Sequence, residues 1–192
     1  MTHAVIIVGG SKEFDDEGKD FKRFIQEYGK ATVTYIRAAY LSETELLQKL
    51  VKIVNLHRKE PLLLVYDGHG KEGGWEINGG SFLLYKLLAV ILVSREQPTV
   101  VVTDCCYSGS LISYLNFFGA DWEKIEVIAS TDTKHMGVSG LLADVEEQWR
   151  KGVDFAPSFK VARGKVGDKY KNIRIWQVRY GAHLDHLFFT KH

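Results

Sequence analysis

Apolar positions along the chain fall into short, β-branched runs set between amphipathic stretches. Residues 3–8, 32–36, 62–65, 99–102 and 125–129 form such runs, each bounded by turn or polar residues. Runs this short and continuous predict strands buried on both faces, as in a parallel sheet. Between them, Phe21, Phe24, Ile25 and Tyr28 recur at helical spacing after a polar, acidic loop over residues 11–18. Ser42 followed by Glu45 predicts a capping box that opens a helix over residues 43–56. Residues 81–96 and 138–149 read as further helices. Beyond them the pattern weakens, and residues 173–178 and 186–189 predict two late strands joined as a hairpin through Gly181. Alternating strands and helices predict the α/β class, a three-layer α/β/α sandwich about a mostly parallel sheet, in one domain over residues 1–192.

Two of these strands end in chemistry. The run at 62–65 leads into Tyr66-Asp67-Gly68-His69-Gly70, and the run at 99–102 leads into Asp104-Cys105-Cys106-Tyr107-Ser108-Gly109. A helix between them makes the connection a right-handed crossover, so the strands are parallel and both loops leave the same carboxyl edge. Open α/β sheets bind their ligands there. An imidazole and a thiol on one rim suit a Cys–His nucleophilic dyad, because proximity to His or to a helix N-terminus favours the reactive thiolate. The N–H groups of Gly70 and Cys106 are candidates for an oxyanion hole.

Composition narrows the setting. At 192 residues, 45% apolar and 26% charged, the chain is long enough to bury roughly 70% of its unfolded surface without a disulfide scaffold. Its formal net charge of +1 and lack of like-charge blocks give no support to a nucleic-acid or anionic-membrane partner. Only two cysteines occur, and they are adjacent, which suits a reducing compartment. The apolar run at residues 4–8 is too short for a secretory leader, and the apolar stretch at 82–93 is well short of the roughly 18–20 residues that span a bilayer. The expectation is a cytosolic protein.

Tyr66-Asp67-Gly68-His69-Gly70 resembles the His-Gly motif of the caspase-like cysteine peptidases. Asp104-Cys105-Cys106-Tyr107-Ser108-Gly109 resembles the Asp-Ser-Cys-x-Ser-Gly of metacaspases, the Glu-Ala-Cys-x-Ser-Gly-Ser of legumain and the Cys-Tyr-Ser-Gly of separase-related CHAT proteases. The resemblance covers roughly residues 4–133 and implies the caspase-haemoglobinase fold, with Cys106 as nucleophile and His69 as its partner in an endopeptidase. It also implies that Asp104, two residues before the nucleophile, lines the pocket for the substrate residue on the acyl side. A buried carboxylate there selects Arg or Lys; paired with a basic group it accepts Asn. Ser130 and Asp132 stand where the family places further pocket residues, and Asp15 or Asp16 is a candidate contributor. Tyr107 and Asp104 depart from the pattern of caspases that recognise Asp.

Several alternatives stay open at this point. Asp104 also fits a strand-end helix cap. The acidic run Asp15-Asp16-Glu17 leaves calcium open as an activator, although no metal ligand set and no certain cofactor follow from the sequence. Val65-Tyr66-Asp67-Gly68-His69-Gly70 also resembles the metal loop of metal-dependent Ser/Thr phosphatases, whose further Asp motifs are absent here. A catalytically silent caspase-like binding or regulatory module is a third reading. His183 and His186 lack an evident third ligand and read as surface residues. The basic stretch at 150–171 and the loop at Lys134 are candidate self-cleavage sites. The expected partner is a protein or peptide substrate; the sequence does not set the oligomeric state.

Overall fold

Strands buried on both faces need a helical layer on each side, and that requirement is met here. The computed structural model describes residues 2–10, 12–29, 31–133, 140–157, 159–162 and 173–189. In chain order its elements are β1 (Thr2–Val8), α1 (Lys12–Tyr28), β2 (Ala31–Arg37), α2 (Glu43–Leu56), β3 (Leu62–Asp67), β4 (Gly70–Lys71), β5 (Gly74–Asn78) and β6 (Ser81–Leu84). There follow α3 (Tyr85–Val93), β7 (Thr99–Asp104), α4 (Ser110–Phe117), β8 (Ile125–Ala129), α5 (Leu141–Arg150), β9 (Phe159–Ala162), β10 (Ile173–Trp176) and β11 (Val178–Gly181).

The central sheet runs β2-β1-β3-β7-β8-β11. Its first five strands are parallel, and β11 closes one edge antiparallel to β8. Side chains alternate across it: Leu62, Leu64 and Tyr66 join a core with α2, α3 and α4, whereas Leu63 and Val65 join a second core with α1 and α5. The α/β sandwich predicted from the apolar runs is therefore present. Because the chain goes from β1 outward to β2 and then returns to β3 on the other side, the order reverses between β1 and β3. Such a switch point opens a crevice at the carboxyl ends of the two strands, and here it receives the loop after β1 and the His69 loop. The Gly9 N–H donates to the Asp67 carbonyl at 2.9 Å and ties them together.

The capping box is present: Ser42 accepts from the Glu45 N–H, and Glu45 accepts from the Ser42 N–H. Other expectations need correction. Residues 81–84 are not the start of a helix but the return strand of a β4-β5-β6 sheet. Asn78-Gly79-Gly80 makes the turn, with φ of 44° and 111° at the two glycines, and Trp75, Ile77 and Leu83 are buried. Period-two burial and a glycine turn outweighed the apolar content that suggested a helix. The acidic loop at 11–18 is helical from Lys12. The late hairpin is also different: β10 pairs with β9, β11 pairs with β8, and His186 lies in a single 3-10 turn. The edge strand is pinned by Arg179, whose guanidinium meets the buried carboxylates of Glu126 and Asp185. The predicted helix boundary at 138–139, residues 158 and 163–171 of the basic stretch and the Lys134 loop fall outside the described residues.

Trp75 fixes the small sheet to the large one. It is fully buried, stacks on Tyr66 at a 4.5 Å centroid distance and donates its indole N–H to Thr103 Oγ1 at 2.8 Å. Trp75→Ala should cost about 3–5 kcal/mol, read as a lowered urea midpoint at unchanged slope.

At the opposite end of the sheet, the His3 ring is 4% exposed and bonded to the Thr32 and Thr34 hydroxyls. It stacks on His57 at 3.7 Å. Burial first, then the charge of His57, hold its pKa below the ordinary 6.5, with Glu60 acting in the opposite sense and Arg95 adding a smaller lowering. A base with a depressed folded pKa contributes stability that is complete above the unfolded value and is lost as pH falls through it. His3→Gln should therefore flatten the decline in stability below pH 6.5. Urea midpoints of the two proteins followed across that range test this; identical pH slopes would refute it.

Candidate active site

His69 is held by what lies beneath it. The Tyr66 hydroxyl donates into the gap between the His69 and Glu76 carbonyls, and the Glu76 N–H returns a 2.9 Å bond to the His69 carbonyl. Phe14 of α1 meets the imidazole edge-on at 4.9 Å. A cleft of about 180 Å³ lined by Gly9, Gly10, Lys12, Asp15, Arg37 and Tyr40 adjoins this corner. Pairing of Gly70 with Trp75 is flanked by the Glu76–His69 bond, which makes it a non-hydrogen-bonded pair of the ladder. The ladder therefore does not use the Gly70 N–H.

The Cys106 loop follows β7 and turns into α4. Its Tyr107 has φ of 57°, a left-handed conformation rare for a non-glycine residue. Ser130 Oγ accepts from the Cys105 N–H and donates to the Cys105 carbonyl, both at 3.0 Å. Ser108 Oγ accepts from the Thr131 N–H at 3.1 Å. The segment after β8 thus staples the cysteine loop. Ser130, expected as a pocket wall, is buried and engaged with that loop. Asp132 lies beside it, its backbone 2.8 Å from where a Cβ on Gly109 would stand.

The two loops close on each other. A Cβ on Gly70 would stand 2.6 Å from the Cys106 carbonyl oxygen and 2.7 Å from Cys105 Sγ. Only glycine permits that approach. The Gly68 N–H donates to the Asp104 carbonyl at 3.1 Å, and a Cβ on Gly10 would touch the His69 ring. The adjacent thiols differ sharply. Cys105 is 4% exposed between Tyr85 and Thr103, and burial pushes its thiol up to about 12. Cys106 is half-buried, and neither sulfur is in a disulfide. A thiol that holds its proton that strongly is a poor nucleophile, so Cys105 is ill suited to that role.

On the face covered by α1 and α5, Asp67 and Asp104 are direct neighbours across the β3–β7 pairing. Glu17 of α1 joins them, and carboxylate oxygens of the three lie within 4.8 Å of one another. Asp104 is 2% exposed, and its Oδ2 accepts the Gly140 and Leu141 N–H groups at 3.0 and 2.8 Å. It does cap a helix, but the helix is α5 and not the one that follows it in sequence. Burial pushes its carboxyl up to about 6 against those bonds and that of Ser130. Asp67 is fully buried, with no hydrogen-bond partner at either oxygen; burial, then Asp104 and Glu17, push it up to about 9.

The structure brings Glu17 to this corner, whereas Asp15 is bound to Arg37, Lys19 and Tyr35. Asp15-Asp16-Glu17 is therefore helical and not a loop: Asp15 and Asp16 share Lys19, whereas Glu17 approaches Asp67 and Asp104. Asp67 and Trp75 were absent from the predicted site, and Glu17 entered it only as a member of the acidic run Asp15-Asp16-Glu17. Strand register carried the signal for Asp67, since both acids end adjacent parallel strands. His183 and His186 are exposed, as expected. Among the described residues, no helix is long and apolar enough to cross a membrane.

No protein-family model matches the chain, and no curated protein matches it in sequence. Among solved structures, Raptor from Chaetomium thermophilum aligns with a TM-score of 0.50 at 14% identity, over 70% of this chain and 16% of that one. A secreted C11 cysteine protease from Bacteroides thetaiotaomicron, iotapain, aligns with a TM-score of 0.48 at 11% identity, over 81% of this chain and 59% of that one. The chain thus spans about a sixth of the length of the first and three fifths of the second. At 14% identity, the likeness to Raptor is a likeness of fold.

Proposed function

We propose that this chain is a cysteine endopeptidase of the caspase-haemoglobinase fold that cleaves after Arg or Lys. The observation that carries the reading is the closure of the two glycine-flanked loops at the carboxyl ends of β3 and β7, with Gly70 packed against Cys106. In this reading Cys106 Sγ attacks the scissile carbonyl carbon, and its electrons move onto the carbonyl oxygen. The N–H groups of Gly70 and Cys106 receive that oxyanion. His69 protonates the departing amine, leaving a thioester, and then takes a proton from the water that hydrolyses it.

Asp104 supplies the selectivity. The charges acting on Asp67 are those of Asp104 and Glu17, and the charge acting on Asp104 is that of Glu17, all carboxylates. A site with that balance favours a guanidinium or ammonium over the Asn side chain, which would call for a basic group beside the acid. Glu17, on α1, brings a third carboxylate beside the two buried acids.

Cys106→Ala and His69→Ala should each lower cleavage of an Arg-containing fluorogenic peptide by roughly 1,000-fold or more. Cys105→Ala should retain activity. A panel carrying Arg, Lys, Asn, Asp or Leu before the scissile bond tests the pocket, and cleavage confined to Asp would overturn it while leaving the dyad intact. Asp104→Asn should lower Arg cleavage roughly 100-fold, since one partner of a buried charge pair is lost. Absence of peptidase activity in a folded wild-type chain would favour the silent binding module.

Gly70→Ala places a methyl group against the Cys106 carbonyl and Cys105 Sγ. It should cost about 1–3 kcal/mol of stability and reduce kcat more than KM, as measured by thermal unfolding and steady-state kinetics. Unchanged kcat would argue against an oxyanion role for this loop.

A further inference from the structure

We propose that Glu17, Asp67 and Asp104 form a Ca²⁺ site, and that Ca²⁺ held there competes with the substrate's basic side chain. The proposal rests on the pocket reading above for its regulatory half only. Three carboxylates offer oxygens within 4.8 Å of one another, and two oxygens bound to one Ca²⁺ at about 2.3–2.6 Å can stand that far apart. Mg²⁺ binds at about 2.0–2.1 Å in a strict octahedron and fits so open a set less well. All three donors are hard oxygens, with neither imidazole nor thiolate among them, which disfavours zinc or copper.

Asp67 gives the independent observation. Both of its oxygens are buried without a hydrogen-bond partner, and the side chain is fully enclosed. Buried carboxylates are normally hydrogen-bonded, paired or metal-bound, because desolvating an uncompensated charge costs several kcal/mol. Asp104, by contrast, is already oriented through Oδ2 by the two backbone N–H groups that open α5. The two aspartates stand on rigid neighbouring strands in register, and Glu17 approaches from α1. Waters complete the shell, as is usual for Ca²⁺.

The consequence reverses the expected sign of calcium's action. An ion among these carboxylates occupies the place that the guanidinium of an Arg substrate needs, so calcium inhibits by raising KM and leaves kcat unchanged. Activation by calcium would require a site elsewhere.

Isothermal titration of CaCl₂ into the full-length Cys106→Ala chain tests binding apart from catalysis. One ion per chain is expected, with affinity falling at least about tenfold in Asp67→Asn and in Glu17→Gln. Glu17 lies on the surface of α1, so its variant keeps the test sound if Asp67→Asn does not fold. Absence of binding, or binding unchanged by Glu17→Gln and by any folded Asp67→Asn, would overturn the site whether or not the chain proves to be a peptidase. With active enzyme, a calcium-dependent rise in KM for the Arg peptide at constant kcat supports competition. A rise in kcat, or a KM that does not respond, overturns it and leaves the calorimetric result standing.

Discussion

The in-register pairing of β3 with β7 is the constraint on which the rest depends. It aligns Asp67 with Asp104 at the last rung, and the chain beyond each residue then has to turn away from the sheet at the same level. The Gly68 N–H bonds back to the Asp104 carbonyl, so the His69 loop begins on the backbone of the Cys106 loop. A one-residue slip would send Asp67 and Asp104 to opposite faces and pull the loops apart. Burial on both faces forbids such a slip, because it would exchange the apolar sets that fill the two cores.

Beneath this rim the two faces have different duties. On the α2–α4 side, Tyr66, Trp75 and Thr103 form a stacked and hydrogen-bonded column that carries the His69 loop from below. On the α1–α5 side, polar groups replace aromatic ones, and Asp104 reaches out of the sheet to the N-terminus of α5. The helix dipole and two N–H donors make that a favourable place for a carboxylate. Asp67 receives no such support. One rim thus combines a rigid support with a buried carboxyl group that has no hydrogen-bond partner, and an unsatisfied buried group of that kind calls for a functional explanation.

How far the sequence disclosed this can be argued from particular residues. The parallel strands and the Ser42–Glu45 box were legible because burial on both faces and capping are local signals. The β5–β6 hairpin was not, since Phe82 and Leu83 sit in an apolar run whose continuation into α3 masked their alternation. His69, Gly70, Cys106 and Asp104 announced themselves by glycine-flanked loops at strand ends. Glu17 stood out only as part of an acidic run; its approach to Asp67 and Asp104 depends on how α1 packs over β3, a tertiary matter. Ser130 looked like a pocket wall from its position after β8; only its bonds to the Cys105 backbone reveal it as a staple.

The adjacent cysteines carry a consequence for how the chain meets oxidants and alkylating reagents. Two sulfurs one residue apart usually share a fate. Here the peptide between them crosses a boundary, with Cys105 sealed under the Gly70 backbone and Cys106 half-buried. Burial holds the proton on the Cys105 thiol, and a protonated thiol is a poor nucleophile. The native chain therefore behaves as a one-thiol protein, and becomes a two-thiol protein only when β7 lifts from the glycine loop. The number of sulfurs that a reagent finds is a direct count of how much of the rim remains closed.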